Sequence, residues 1–170
     1  MSIEQFLNWI ISNPEFAGIA MFLLGFLEAF FISGIVWPSV ILLVFAVGLS
    51  EADIKLSYIC LGAGLGAWIG DTTSYYCGLF FGPKFKNLKV LKKREDIFIR
   101  GENFFNKYGW VGILIGRLIP AIRPFIPFIA GISSMRQPIF LASSIFACFI
   151  WTIALAILIL GIDSIMNLFT

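Results

Sequence analysis

Glu28, Asp71, Arg117 and Arg123 stand inside stretches that otherwise read as lipid-soluble, two charges of each sign. A charge near the bilayer centre costs about 2.5–3.5 kcal/mol even on lenient insertion scales, so it persists where it has a partner, water or a task. Two planar guanidinium groups can hold phosphate oxygens through paired charge-assisted hydrogen bonds, as a lysine point charge cannot. Arg117 and Arg123 are therefore the expected binders of a phosphate head group. Glu28 and Asp71 are the expected charge-balancing or proton-linked acids, Glu28 neutralising the arginines in an empty site and yielding when phosphate arrives. A purely structural ion pair is the competing account of Asp71. The chain has no histidine, which removes His-based acid/base catalysis, Ser-His-Asp chemistry and most zinc sites together. No catalytic residue, metal or cofactor is assigned.

The composition sets the surroundings of these charges. With 59% hydrophobic and 13% charged residues, the 170-residue chain holds more apolar surface than one soluble domain could hide. An all-α polytopic membrane protein forming one membrane domain over 1–170 is the expected class. Residues 1–54 contain no Lys or Arg, so the start lacks the basic region of a secretory signal, and its apolar stretch is expected to be retained. Cys60, Cys77 and Cys148 lie in apolar runs without metal-site spacing and read as small hydrophobes.

Along the chain, residues 3–12 are short and amphipathic, suited to the interface. Asn13 and Pro14 read as a helix start, with Asn13 as N-cap. The apolar run from Phe16 breaks at Ser33-Gly34 and again at Trp37-Pro38 before continuing through Val40–Leu49. A hydrocarbon core about 30 Å thick takes about 20 helical residues, more than either arm holds, which suggests a re-entrant hairpin, two thin spans being the alternative. Residues 57–82 are long enough for a true span. There Gly62, Gly66, Gly70, Ser74, Gly78 and Gly82 recur every fourth position, a stripe that lets another backbone approach closely. Residues 84–107 hold eight of the twelve basic residues, the mark of a cytoplasmic segment, whereas the acidic loop 51–55 belongs outside. In 110–131, Pro120, Pro124 and Pro127 break helical continuity close to both arginines. Hydrocarbon tolerates such breaks only where the freed carbonyls face protein or a water-filled cavity. A second re-entrant hairpin is expected here, then a turn at 133–138 and a final span at 139–162. That span carries a weaker small stripe, Ser144, Cys148, Thr152 and Ala156, with which to pack on 57–82.

The chain thus reads as a broken hairpin plus a long helix, twice: 13–82 and 108–162, on either side of the basic segment. The halves have opposite topology, with breaks at Gly34, Pro38, Pro120 and Pro124. Secondary transporters place a midplane site between discontinuous helices in such an inverted repeat.

The same residues resemble the DedA family, whose members carry the VTT domain and are also called SNARE-associated membrane proteins. The matching features are Phe26-Leu27-Glu28, Gly70-Asp71 with Tyr75 and Gly82-Pro83-Lys84, and above all Gly116-Arg117-Leu118-Ile119-Pro120 with Arg123. Ala130-Gly131, Met135, Phe140 and Trp151 follow in the expected order. The resemblance implies a lipid carrier of the bacterial cytoplasmic membrane, flipping undecaprenyl phosphate or scrambling phospholipids, with the hairpin acids and arginines essential. The chain departs from the family after the hairpin proline, where Trp37-Pro38-Ser39-Val40 replaces a second acid. Proton coupling through a carboxylate pair is then in doubt unless Asp71 reaches the same cavity. A non-transporting scaffold for envelope homeostasis, a small-solute or ion exporter and a membrane lipid enzyme are the other readings. Expected partners are membrane lipids and no nucleic acid; a homodimer is left open.

The charge pattern fixes an orientation that labelling can test. In a variant without native cysteines, Ala52→Cys should react with an impermeant thiol reagent from outside, and Lys92→Cys only after the cytoplasmic side is opened. Reversed accessibility would overturn the orientation.

Overall fold

The computed structural model describes residues 3–35, 39–86, 103–105, 107–118 and 123–169. Every main element among them is helical: α1 (Ile3–Ser12), α2 (Ala17–Ala29), α3 (Ser39–Glu51), α4 (Leu56–Lys86), α5 (Trp110–Leu118), α6 (Phe125–Ile132) and α7 (Gln137–Phe169). Short 3-10 turns at Pro14–Phe16 and Ser33–Ile35 join the early elements. Pro38, Pro120 and most of the basic segment, 87–102, lie outside the described residues.

The helix ends follow from local chemistry, with one reversal. Asn13 does not cap the turn that follows it; its side-chain amide donates instead to the Trp9 carbonyl at 2.8 Å, closing the end of α1. Pro14 does occupy the first position of the 3-10 turn, where a missing N–H costs nothing. Pro127 also departs from expectation, because it breaks nothing. It is the third residue of α6 behind an N-cap at Pro124, in the first turn, where helical N–H groups have no intrahelical acceptor. The turn between α6 and α7 is set by Ser134 at φ 52° and by Ser133 and Met135 donating back to the carbonyls of Ile129 and Ala130.

Element lengths separate long helices from short ones. α2 and α3 have 13 residues each, and α5 and α6 have 9 and 8. At 1.5 Å per residue these reach roughly 12–20 Å. α4 runs for 31 residues and α7 for 33, enough for a bilayer. Among the described residues only Gln137–Ile162 of α7 is both long and apolar enough to cross a membrane. The expected span at 57–82 has the length but not the hydropathy, because its glycines, its Ser and Thr residues and Asp71 dilute the apolar content.

That dilution is what positions the site. A Cβ at Gly62, Gly66 or Gly70 would run into the backbone of Gly18, Phe22 or Phe26 on α2, and one at Gly78 into the Phe128 carbonyl of α6. The four-residue recurrence drifts slowly around a 3.6-residue helix, so one stripe serves two partners in turn, α2 on its early part and α6 on its later part. Gly25 and Gly131 answer from the opposing helices, pressed on the backbone of Ala63 and Tyr75. The other flank of α4 takes α7, where Gly64 meets the Thr152 hydroxyl. Apolar side chains such as Leu61, Leu65, Phe149, Ile153 and Ile157 remain exposed on the outside of the bundle, as lipid-facing surfaces are. Beyond the α2 end, Gly34 closes on the second half, for a Cβ there would lie 2.9 Å from the Pro124 ring. The Phe31 ring stacks on Phe128 with centroids 4.2 Å apart. The two chain breaks therefore touch.

Backbone-to-backbone contact makes the stripe intolerant of one methyl group. Gly66→Ala should destabilise the purified protein by about 1–3 kcal/mol, the usual cost of overpacking, and lower its melting temperature in detergent. Gly161→Ala, where nothing stands within 4 Å, should leave it unchanged or raised. Equal melting temperatures would show that α2 does not pack on this stripe.

Candidate functional site: two buried ion pairs

All four intramembrane charges meet in the interior, in crossed pairs. Glu28 comes from the last turn of α2 and Arg123 from the residues leading into α6; Arg123 Nη1 donates to Glu28 Oε1 at 2.6 Å. Asp71 sits midway along α4 and Arg117 in the last turn of α5, with Arg117 Nη2 placed 2.5 Å from Asp71 Oδ2. That second contact is a close ion pair whose angle falls outside hydrogen-bond geometry. The side chains of all four residues are less than a tenth exposed. Each pair joins an acid from the first half of the chain to an arginine from the second.

The two pairs are unlike in their surroundings. Asp71 Oδ2 also accepts from Ser144 Oγ at 3.1 Å and is approached by Cys148 Sγ at 3.8 Å. Arg117 Nη1 in turn donates to Cys148 Sγ at 2.8 Å. Ser144 and Cys148 are four residues apart on α7, so one helix face delivers both groups. Cys148, expected to be a small hydrophobe, is thus a polar member of the cluster; Cys60 lies in the apolar core. The Glu28–Arg123 pair has no such supporting cluster. Glu28 Oε2, Arg123 Nε and Arg123 Nη2 are buried without a hydrogen-bond partner among the described residues. Arg123 rests its guanidinium on the Trp151 ring, Cζ standing 4.5 Å from the centroid.

A second acid at the arginines comes from α4. Asp71 takes one arginine and Glu28 the other, so Glu28 does not balance two positive charges alone. Val40 is 65% exposed and faces outward from the start of α3. Gly34 lies at the contact of the two breaks, and Gly62, Gly66, Gly70 and Gly78 build the packing that sets the depth of Asp71 relative to Glu28. Ser74, in the same stripe, accepts from the Phe31 backbone N–H at 3.0 Å and ties the end of α2 to α4. Around Tyr75 a second group of residues converges: its hydroxyl donates to the Met135 carbonyl and its ring stacks on Phe140 at 4.1 Å.

In the sequence Ser144 and Cys148 read as part of a packing stripe and Trp151 as part of a family pattern, with no role at the charges. Their common face was readable from the spacing of 144, 148 and 151. Which charge each would meet depended on the tilt and register of α7. Among the described residues, no group of His, Cys, Asp and Glu could hold a metal ion.

A family model for the VTT domain matches residues 37–160, which takes in Asp71 and both arginines. The chain is 29% identical over 146 residues to an uncharacterized membrane protein of Buchnera aphidicola, 85% of this chain and 57% of that one. It is 23% identical over 145 residues to the inner membrane protein YabI of Escherichia coli, again 85% and 57% of the two chains. Protein DedA of Escherichia coli is 27% identical over 106 residues, 62% of this chain and 48% of DedA. The chain thus spans somewhat over half the length of the curated relatives it matches across most of its own. No solved structure matches it. With a transmembrane-length apolar helix, a buried four-charge core and a domain match over most of its length, this chain is an integral membrane protein of the VTT-domain family, the family of DedA and YabI.

Proposed function

We propose that the protein carries a phosphate-bearing lipid between leaflets of the bacterial inner membrane, by a flippase or scramblase mechanism, and that Arg117 and Arg123 receive the head group. The observation that carries this reading is the pair of buried guanidinium groups at the junction of the two chain breaks, each offset by a single acid and with Nε of both lacking a hydrogen-bond partner among the described residues. A lipid phosphate brings several oxygens and a negative charge, which match those donors. Its tail can stay among the exposed apolar side chains while only the head group crosses polar ground. Glu28 and Asp71 offset the two cations in the empty site, so the buried charges are never left unpaired.

In this reading the short pairs α2/α3 and α5/α6 are re-entrant hairpins entering from opposite sides, and α4 and α7 are the crossing helices of an inverted repeat. Helices of 8 to 13 residues fall well short of the 20 or so needed to span, and the contact of Gly34 with Pro124 is what two hairpin tips meeting at mid-depth would give. No chemical step is assigned to the site. The second reading is a non-transporting scaffold, favoured by the firmly held Asp71–Arg117 pair, whose geometry alone would serve to clamp the halves together.

Reconstitution separates the two. Protein in liposomes should transfer a labelled polyprenyl phosphate or a labelled phospholipid between leaflets. Arg117→Lys and Arg123→Lys should insert normally yet lower transfer about tenfold or more, the worth of one charge-assisted hydrogen bond. Full activity in both variants would demote the arginines to structural ion pairs, and no transfer of either lipid by the parent protein would favour the scaffold.

A further inference from the structure

Arg123 is held by two different kinds of neighbour, and their arrangement leaves one edge of the guanidinium without a hydrogen-bond partner among the described residues. Nη1 is taken by Glu28 Oε1 at 2.6 Å. Cζ stands over the Trp151 ring, 4.5 Å from its centroid. Nε and Nη2 form the remaining edge, and both are buried without a hydrogen-bond partner among the described residues. A guanidinium carries its N–H groups in the plane, so an aromatic ring under the face stabilises the cation and blocks none of its donors. Nε and Nη2 are spaced to hold two oxygens of one anion side by side.

Trp151 is placed for this by α7. It stands three residues beyond Cys148 on the inner face of that helix and packs in a small cluster with Ala29, Ala67, Cys148 and Trp68. Ala29 is the last residue of α2 and Ala67 lies on α4, so the indole packs on small residues of both helices. The same helix therefore braces Arg117 and Asp71 through Ser144 and Cys148, and braces Arg123 through Trp151.

We infer that Trp151 is a positioning residue for the head-group site: it seats the face of Arg123 so that the Nε and Nη2 edge can receive two oxygens of a phosphate monoester while Nη1 is still on Glu28. This deepens the proposed function and rests on it. Nε and Nη2 of Arg117 also lack hydrogen-bond partners among the described residues, but its Nη2 already lies 2.5 Å from Asp71 Oδ2, so the Arg123 edge is the one without a carboxylate beside it.

The test uses phosphatidic acid, a lipid phosphate monoester, titrated into phosphatidylcholine nanodiscs holding the whole protein. With Trp9, Trp37, Trp68 and Trp110 changed to Phe, Trp151 is the sole tryptophan. Its emission should change saturably with phosphatidic acid, and Arg123→Gln should abolish that response. In the otherwise native chain, Trp151→Phe should bind labelled phosphatidic acid within about twofold of the parent, since Phe keeps an aromatic face. Trp151→Leu should bind about tenfold more weakly, the scale of a desolvated cation–π contact. A packing role alone would not tie the emission of Trp151 to Arg123 and lipid. Saturable binding with silent Trp151 emission and equal affinity in the Leu variant would overturn this inference and leave the proposed function standing. Absence of saturable phosphatidic acid binding by the parent protein would overturn both.

Discussion

Two guanidinium groups inside an apolar bundle demand carboxylates within reach, and most of the architecture can be understood as the means of meeting that demand. Desolvating an ion costs several kcal/mol, and removing one partner of a buried pair costs about 3–5 kcal/mol. The acids lie at positions 28 and 71 and the arginines at 117 and 123, so neither half of the chain can satisfy its own charges. Each pair is a cross-link between halves, and the ends of α2 and α5 and the lead into α6 must converge on the middle of α4.

The glycine stripe of α4 is the physical device that permits this convergence. Side chains of ordinary size would hold α2 and α6 away from α4, and the short reach of Asp and Glu would leave the charges apart. With glycine at 62, 66, 70 and 78, backbones touch, and dispersion between close-packed helices replaces the hydrophobic drive that is absent in lipid. The same choice lowers the hydropathy of α4, leaving α7 as the described helix that is plainly apolar enough to cross a membrane. Packing and apparent hydrophobicity trade against one another within one helix.

The two ion pairs are built to different standards. Asp71–Arg117 is supported by Ser144 and Cys148 from one face of α7, whereas Glu28–Arg123 leans on an aromatic ring; among the described residues Nε and Nη2 of both arginines and Glu28 Oε2 are buried without a hydrogen-bond partner. A fully satisfied buried network rigidifies, and a partly satisfied one is costly to maintain. Both networks are only partly satisfied among the described residues, and unbonded donors at the contact of two chain breaks are what the proposed anion site would use.

The sequence by itself determined the helical membrane class, the four charges, the small-residue stripe and the family pattern around Arg117 and Arg123, because composition, period and single-residue chemistry are local properties of a chain. It also determined that the early and late apolar runs are short, since Gly34, Pro124 and their neighbours interrupt helices wherever they are placed. It misjudged Asn13, Pro127 and Cys148, whose roles depend on what lies nearby in space: a carbonyl one turn back, a first helical turn, a guanidinium from another helix. Only the tertiary structure decided which acid meets which arginine, that Val40 faces outward, and that Trp151 lies against Arg123. Those outcomes depend on the register and tilt of α7 and α2 against α4, set by many backbone contacts together. A shift of one residue along α2 or α4, about 1.5 Å with a turn of 100°, would turn its acid away from the arginine it meets.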